Sequence, residues 1–288
     1  MEQSPEVKFK RNINSVGSGL WIYIALQMFL SLNLTLFSDF MEERESFVFF
    51  IVSFLSGFLV ILYLKGRFKI SLEKEVRKPT KVSAVIIGFC LMMLVSFGWG
   101  IIQTFLEDLL GMGIPEPDFG FDSIFIEKIF SLLTVVFVAP IMEELVFRGL
   151  IYGQLRKYNV VFGIIASSLC FGMMHMNLSQ GVPTVFMGII LAYFYETTGS
   201  LKTSILIHFL NNLVATIPDF FTSEYLLSAI ILVADAIAIL WLIKNRKQIS
   251  LFFREKKDEK HYMRDFITSP VIIGIIILFV FMTLLDFM

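Results

Sequence analysis

The chain has 288 residues, of which 56% are hydrophobic, and its mean hydropathy is +0.77. A soluble domain is about 45–50% apolar, so this composition excludes an ordinary soluble protein and indicates a membrane protein. The formal net charge of -1 gives no strong field toward nucleic acid or another anionic partner, and we predict no nucleic-acid binding.

Apolar runs of about 20 residues, the length needed to cross a bilayer, recur along the whole chain. We predict an all-α, polytopic membrane helix bundle with about nine transmembrane helices. Their predicted bounds are about 18–38, 46–64, 82–106, 123–154, 159–177, 182–197, 203–217, 225–243 and 267–286. The sixth and seventh runs are short, and Pro140 should bend the long fourth helix.

The charges between these runs predict how the chain is oriented in the membrane. Nearly all lysines and arginines fall at the N-terminus and after the even-numbered spans, whereas the loops after the first and third spans are acidic. Cytoplasmic loops carry an excess of lysine and arginine, so the N-terminus is predicted to be cytoplasmic. The short, lysine-rich loops are typical of a bacterial protein, and we expect a multi-pass protein of the plasma membrane in contact with the lipid bilayer.

The run from Pro140 to Gly149 holds the most unusual polar residues of the chain. Glu143, Glu144 and Arg148 lie among apolar neighbours, and charges inside a membrane are functional candidates because they are costly there. Glu144 and Arg148 are four residues apart and can pair on one helix face. Glu143 points about 100° away and lacks a local cation, as suits a general base. A cluster of charges at the cytoplasmic end of the helix is the competing interpretation.

Two later spans carry histidine within apolar sequence. His175 lies near the end of the fifth span, and His208 and Asn212 lie one turn apart in the seventh. A lone histidine in a helix bundle is more often a hydrogen-bonded packing residue, but two of them with an asparagine favour a site. His208 and Asn212 could together stabilise an oxyanion. Asn211 is predicted to bond a neighbouring helix, and His261 to be solvated in a charged loop.

At three places the sequence resembles the CPBP family, which comprises the CAAX-type prenyl endopeptidases and their bacterial relatives, also called Abi or bacteriocin-processing proteins. Each motif alone has two or three fixed positions, but their joint order on successive helices is specific. The motifs are Glu143-Glu144-x-x-x-Arg148, Phe171-x-x-x-His175 and His208-x-x-x-Asn212.

The resemblance implies a metal-independent intramembrane endopeptidase with a cavity that opens toward the cytoplasmic side. In such enzymes a glutamate activates a water that attacks a peptide carbonyl, without a covalent intermediate. Carried over, Glu143 is the base, His175 holds the water and moves its proton, and His208 and Asn212 form the oxyanion site. The residues implied to support these four are Glu144, Arg148 and Phe171.

The resemblance also divides the chain and suggests partners. Residues 82–220 are expected to form the CPBP-like catalytic bundle. Residues 1–81 and 221–288 each add two spans and a basic cytoplasmic loop. The expected partner is a membrane-associated peptide or protein, such as a bacteriocin or pheromone precursor, a target in self-immunity, or a CAAX-type tail. No cofactor is expected.

Other functions remain open at this point. Two histidines and a glutamate are also the ligand set of a catalytic zinc site, although His-Glu-x-x-His is absent and the ligands would come from three helices. A serine nucleophile would lack a Gly-x-Ser-x-Gly context. A non-catalytic immunity or scaffold protein could keep the same bundle. Asp235, a lone acid in the eighth span, would suit a transporter, but the two halves of the chain lack internal symmetry.

Overall fold

The computed structural model describes residues 4–36, 45–116, 125–216, 224–256 and 262–288. Every regular element in these ranges is a helix, which confirms the all-α class. In chain order the helices are α1 (Pro5–Leu36), α2 (Glu45–Phe68), α3 (Leu72–Arg77), α4 (Val82–Leu110), α5 (Phe125–Leu155), α6 (Val160–Met173), α7 (Leu178–Thr198), α8 (Leu201–Thr216), α9 (Glu224–Glu255), α10 (Tyr262–Ile267) and α11 (Pro270–Leu285).

Several of these helices can span a bilayer, so the chain is a multi-pass membrane protein. In the described ranges, α2, α4, α5, α7 and α9 are long and apolar enough to cross, and α6 and α11 are apolar but shorter. Each of the nine predicted spans overlaps a helix of at least 14 residues, with positions 37, 38, 123, 124 and 217 outside the described ranges. The count of nine and the orientation stay predictions. The short helices α3 and α10 lie in the basic loops and were not predicted.

Helix α5 is the element around which the candidate residues are arranged. It is continuous, but two of its segments, Leu133–Val138 and Glu144–Tyr152, are π-helical, with Pro140 between them. A π-helix is rare and often accompanies a functional site, because its wider turn changes the direction of the side chains that follow. The predicted disturbance at Pro140 is therefore two widened segments, one on each side of the proline, and the second begins at Glu144.

Proline also leaves one carbonyl of α5 without its usual partner. The N–H of Ala139 donates to the oxygen of Thr134, five residues back. In that register the oxygen of Val135 would need the N–H of residue 140, and Pro140 has none. A buried carbonyl needs a partner, so Val135 must find one on another helix.

The helices pack closely around α5. α6 and α7 lie side by side, α8 contacts both α5 and α7, and α4 packs against α7, α8 and α9. α6 and α7 come so close that a Cβ built on Gly172 would lie 2.5 Å from the backbone oxygen of Gly181. Small residues at such crossings let helices in a membrane approach backbone to backbone. This packing brings α6 and α8 against the same face of α5.

The bundle has two chemically different ends. One end holds the N-terminus and the loops after α2, α5, α7 and α9; we call it the basic end. Side-chain bonds tie it together: the amide of Asn12 donates to the hydroxyl of Tyr158 at 2.7 Å, and the hydroxyl of Ser200 donates to the carbonyl of Lys78 at 2.9 Å. The opposite end holds the last turns of α1, α4 and α8 and the turn between α6 and α7. There the carboxylate of Glu127 accepts from the N–H of Ser46 at 2.6 Å.

Candidate active site

The centre of the site is a buried cluster of three charged or titratable side chains. Glu144 Oε1 accepts from Arg148 Nη1 at 2.8 Å and lies 3.2 Å from His208 Nδ1. Glu144 and Arg148 are both 0% exposed, and His208 is buried. The predicted pairing of Glu144 with Arg148 is therefore observed. The contact between Glu144 and His208 connects this pair to α8.

His208 lies between the two glutamates. A carboxylate can only accept a hydrogen bond, so Nδ1 carries the proton that faces Glu144. Nε2 then faces Glu143, whose Oε2 is 3.8 Å away. This distance is too long for a hydrogen bond. Glu143 therefore lies beside the imidazole ring of His208 without a hydrogen bond to it.

Besides its ion pair with Glu144, Arg148 lies over an aromatic ring. Its guanidinium carbon lies 4.1 Å from the centroid of Phe171. Its Nε and Nη2 are buried and have no hydrogen-bond partner among the described residues. A Cβ on Gly188 of α7 would lie 3.1 Å from Nη2, so the absence of a side chain there leaves room for the guanidinium. Phe171, predicted to pack behind the site, does so as the platform for Arg148.

His175 lies in the turn after α6, and its ring is fixed by its own helix. Nδ1 is 3.0 Å from the carbonyl oxygen of Phe171. A carbonyl can only accept, so Nδ1 is the donor and the neutral ring keeps a lone pair on Nε2. That nitrogen can accept a proton from a bound water.

Asn212 is the partner that Val135 needs. Its Nδ2 donates to the oxygen of Val135 at 2.9 Å, and its Oδ1 accepts from Nδ2 of Asn211 at 3.2 Å. The prediction that Asn211 bonds a neighbouring helix was wrong: Asn212 makes that bond, because the proline-generated free carbonyl lies opposite it. One N–H of the Asn212 amide is used in this way, and the second remains for another acceptor.

These side chains meet at a cavity of about 680 Å³ lined by α1, α2, α4 to α8 and α11. The predicted residues that line it are Glu143, Phe171, His175, His208 and Asn212. Glu144 and Arg148 are buried beside it and reach it through His208. Asp235 is buried on α9 outside this cavity, and His261 lies outside the described residues.

The flanking helices contribute residues that the sequence patterns did not single out. Tyr23 and Gln27 of α1 and Ser53 of α2 line the cavity, although all three precede the region of resemblance. Polar side chains inside an otherwise apolar span are the signal that could have found them. The cavity is thus built by the whole bundle.

The cavity lies away from the basic end. Phe49 in the second turn of α2, Gln180 in the first turn of α7 and Thr216 at the end of α8 all line it, and all lie near the opposite end. The resemblance implied a cavity open toward the cytoplasmic side, and the loop charges place the basic end there. Those two expectations disagree, because the cavity extends from the middle of the bundle to the end opposite the basic end.

Parts of this chain are similar in sequence to known proteins. Residues 125–214 match the Rce1-like family, described as Type II CAAX prenyl endopeptidases. The chain is 31% identical over 165 residues to the membrane-embedded CAAX protease MroQ of Staphylococcus aureus (strain USA300), a match over 54% of this chain and 65% of MroQ. It is 36% identical over 76 residues to YdiL of Bacillus subtilis (strain 168), provisionally named a membrane peptidase, over 26% of this chain and 31% of YdiL.

The matches cover less than two thirds of either relative's own length. No solved structure matches the chain. The matched family segment contains all three motifs, and the resemblance to the CPBP family is confirmed.

Proposed function

We propose, from the Rce1-like CAAX endopeptidase domain at residues 125–214, that this chain is an intramembrane endopeptidase in which Glu143 activates a water to cleave a membrane-associated peptide. The observation that carries the proposal is the cavity shared by Glu143, His175, His208 and Asn212, side chains from α5, the α6–α7 turn and α8. Three sequence-distant elements supply a base, a proton acceptor and hydrogen-bond donors to one space.

The reaction can be written with the atoms of these side chains. The carboxylate of Glu143 accepts a proton from water, and the oxygen of that water attacks the peptide carbonyl. Nε2 of His175, free because Nδ1 is committed to Phe171, holds the water and relays protons. The proton taken by Glu143 then passes to the leaving amine as the C–N bond breaks. The products are a carboxylic acid and an amine, so atoms and charge balance.

The oxyanion of the tetrahedral intermediate needs donors. The second N–H of Asn212 supplies one, and its amide is already oriented by Val135 and Asn211. We assign Nε2 of His208, the ring nitrogen that faces Glu143 and the cavity, as the second donor, with Glu144 beside Nδ1 fixing the orientation of the ring. Preorganised donors of this kind contribute about 10²–10³ in rate each.

The test is cleavage of a fluorogenic membrane-associated peptide by purified protein in nanodiscs. We expect Glu143→Gln to lower kcat by at least about 10³-fold. Glu73→Gln, an exposed acid on α3, is the matched control and should keep the wild-type rate. Size-exclusion profiles and melting temperatures of both variants verify folding. Cleavage by Glu143→Gln at the wild-type rate would refute the assignment.

The same assay separates the competing functions. In the described ranges, no three His, Cys, Asp or Glu side chains form a group that could hold a metal ion, and we expect a chelator to leave the rate unchanged. A chelator-sensitive rate restored by zinc would replace the glutamate mechanism. If wild-type protein cleaves no membrane peptide, and its cellular phenotype survives Glu143→Gln at equal protein level, a non-catalytic immunity or scaffold role is the better account.

A further inference from the structure

The position of the cavity along the bundle indicates the side from which it is reached. α7 and α8 line the cavity with Gln180 in the first turn of one and Thr216 at the last residue of the other. Met282 occupies the last turn of α11, and Phe49 the second turn of α2. These turns all lie at the end of the bundle opposite the basic end.

The charges of the chain assign the two ends to the two sides of the membrane. Of the lysines and arginines that the structure describes, only Lys128 lies toward the end near the cavity, and Arg148 lies inside the bundle. The rest fall at the basic end. An asymmetry of this size orients membrane proteins with the basic end in the cytoplasm. The cavity then extends from the middle of the bundle to its extracytoplasmic end.

The walls of the cavity indicate what it holds. Seven of the chain's 14 methionines line it. They are Met28, Met92, Met142, Met174, Met176, Met187 and Met282. Among the described lining residues, Glu143 is the one acidic side chain, and no lysine or arginine is present. Methionine is unbranched and polarizable, and surfaces rich in it adapt to apolar partners of varied shape.

We infer that the cavity receives an apolar peptide segment from the extracytoplasmic side of the membrane, such as the membrane-embedded part of an exported peptide. The identity of the ligand as a substrate rests on the proposed endopeptidase function. The direction of access rests only on the position of the cavity and on the loop charges. The two parts therefore need separate experiments.

Access is tested with single cysteines and a membrane-impermeant charged maleimide. Gln180→Cys places a thiol in the cavity, and Gln248→Cys, on the exposed basic part of α9, is the matched control. The native Cys90 and Cys170 are buried, and wild-type protein serves as the blank. We expect Gln180→Cys to react at least tenfold faster from outside intact cells than in inverted vesicles, and Gln248→Cys to show the reverse.

A second position guards against misfolding. Gln180 accepts a hydrogen bond from Asn177, so its replacement could disturb the start of α7. Ser96→Cys, exposed on α4 at the cavity, should show the same outside preference. Reaction of both cavity thiols only in inverted vesicles, or of neither from any side, overturns the inference.

The substrate part is tested with two single-span fusion proteins that carry the same apolar segment, one presenting it at the outer face and one at the cytoplasmic face. We expect cleavage of the first alone, with kcat unchanged and KM raised roughly tenfold in Met187→Gln, whereas Met263→Gln on α10 keeps the wild-type KM. Cleavage of only the cytoplasmic fusion overturns the inference and leaves the endopeptidase intact. Cleavage of neither, with outside labelling retained, refutes the endopeptidase and leaves the direction of access standing.

Discussion

Two glutamate–arginine pairs lie near opposite ends of the second π-helical segment of α5, and they differ mainly in burial. Arg148 and Glu144 are 2.8 Å apart and both 0% exposed. Arg156, directly after α5, is 3.0 Å from Glu196 of α7, and the two side chains are 29% and 18% exposed. A surface pair contributes about 0–1 kcal/mol, whereas a buried pair must overcome the desolvation of both charges. A glutamate–arginine pair is therefore expected to affect stability differently at the buried position of Arg148 and at the partly exposed position of Arg156.

Each pair shares its carboxylate with a third side chain, and this is the second difference. Glu196 accepts a hydrogen bond from the hydroxyl of Tyr152 at 2.7 Å, a group that stays neutral at physiological pH. Glu144 instead lies 3.2 Å from Nδ1 of His208, an imidazole that lines the cavity. The outer pair ties α5 to α7, and the inner pair couples a buried charge to a ring in the cavity.

Removing the third member of each pair should separate these roles most strongly. We expect His208→Gln to lower kcat of the proposed endopeptidase by about 10²–10³-fold, because the Nε2 donor beside the substrate carbonyl is lost. Tyr152→Phe should stay within about twofold of wild type and lower stability by about 1 kcal/mol, the usual effect of a lost hydrogen bond. Steady-state kinetics and denaturation of both variants provide the measurement. Equal rates in His208→Gln and wild type would remove the distinction between the two pairs.

Truncating the two arginines should show the difference in stability. Arg148→Ala leaves Glu144 buried without its cation, and we expect a loss of about 3–5 kcal/mol. Arg156→Ala acts on a partly exposed pair, so we expect at most about 1 kcal/mol. Denaturant titration in detergent, followed by intrinsic fluorescence, compares them. Similar losses for the two variants would mean that burial does not govern the inner pair.

The two adjacent asparagines of α8 provide a finer comparison within the inner region. Asn212→Ala leaves the oxygen of Val135 unpaired, which should destabilise the protein by about 1–3 kcal/mol and also lower kcat. Among the described residues Asn211 donates to Asn212 alone, so Asn211→Ala should have a smaller effect on both quantities. A larger effect at Asn211 would contradict the assigned hydrogen bonds.

The smallest expected effect is a pH dependence at the basic end. Burial acts to raise the pKa of Glu75 on α3, but hydrogen bonds from Lys78 and Tyr195 outweigh it and hold that pKa below its ordinary value. A carboxyl group with a lowered pKa stabilises the folded state above its unfolded pKa and loses this contribution as the pH falls through the folded value. Thermal melts below about pH 4.5 should therefore fall more steeply for wild type than for Glu75→Gln. Parallel curves for the two proteins would contradict this contribution.

The sequence alone predicts much of the helix bundle and part of the buried site around Glu144. Hydropathy alone predicts the all-α membrane bundle, and the i, i+4 spacing predicts that Glu144 and Arg148 pair. The convergence of α5, α6 and α8 follows from the resemblance. The hydrogen bond between Asn212 and Val135 could not be predicted. A proline predicts a bend in the helix, but the sequence does not show which carbonyl loses its hydrogen-bond donor.

The contributions of α1, α2 and α11 to the cavity were also beyond the sequence. They depend on which faces of distant helices meet, and periodicity in a nearly uniform apolar run does not reveal a face. Tyr23 and Gln27 show the limit: their polarity marks them as unusual, but only the packed bundle assigns them to the wall opposite Glu143. The depth of the cavity relative to the basic loops is likewise a property of the assembled helices.

The π-helical segment Glu144–Tyr152 also joins two parts of α5 with different duties. A π turn holds one more residue than an α turn. The segment therefore sets the rotation, about the helix axis, of the part of α5 that follows it relative to the part that precedes it. Deleting one residue from the segment would restore a regular α-helix. Arg156 would then rotate about the helix axis away from Glu196, whereas the direction of the Glu143 side chain would not change. A change of chain length within this segment would therefore disrupt either the Arg156–Glu196 contact at the basic end or the cavity, and related sequences should carry few insertions and deletions there.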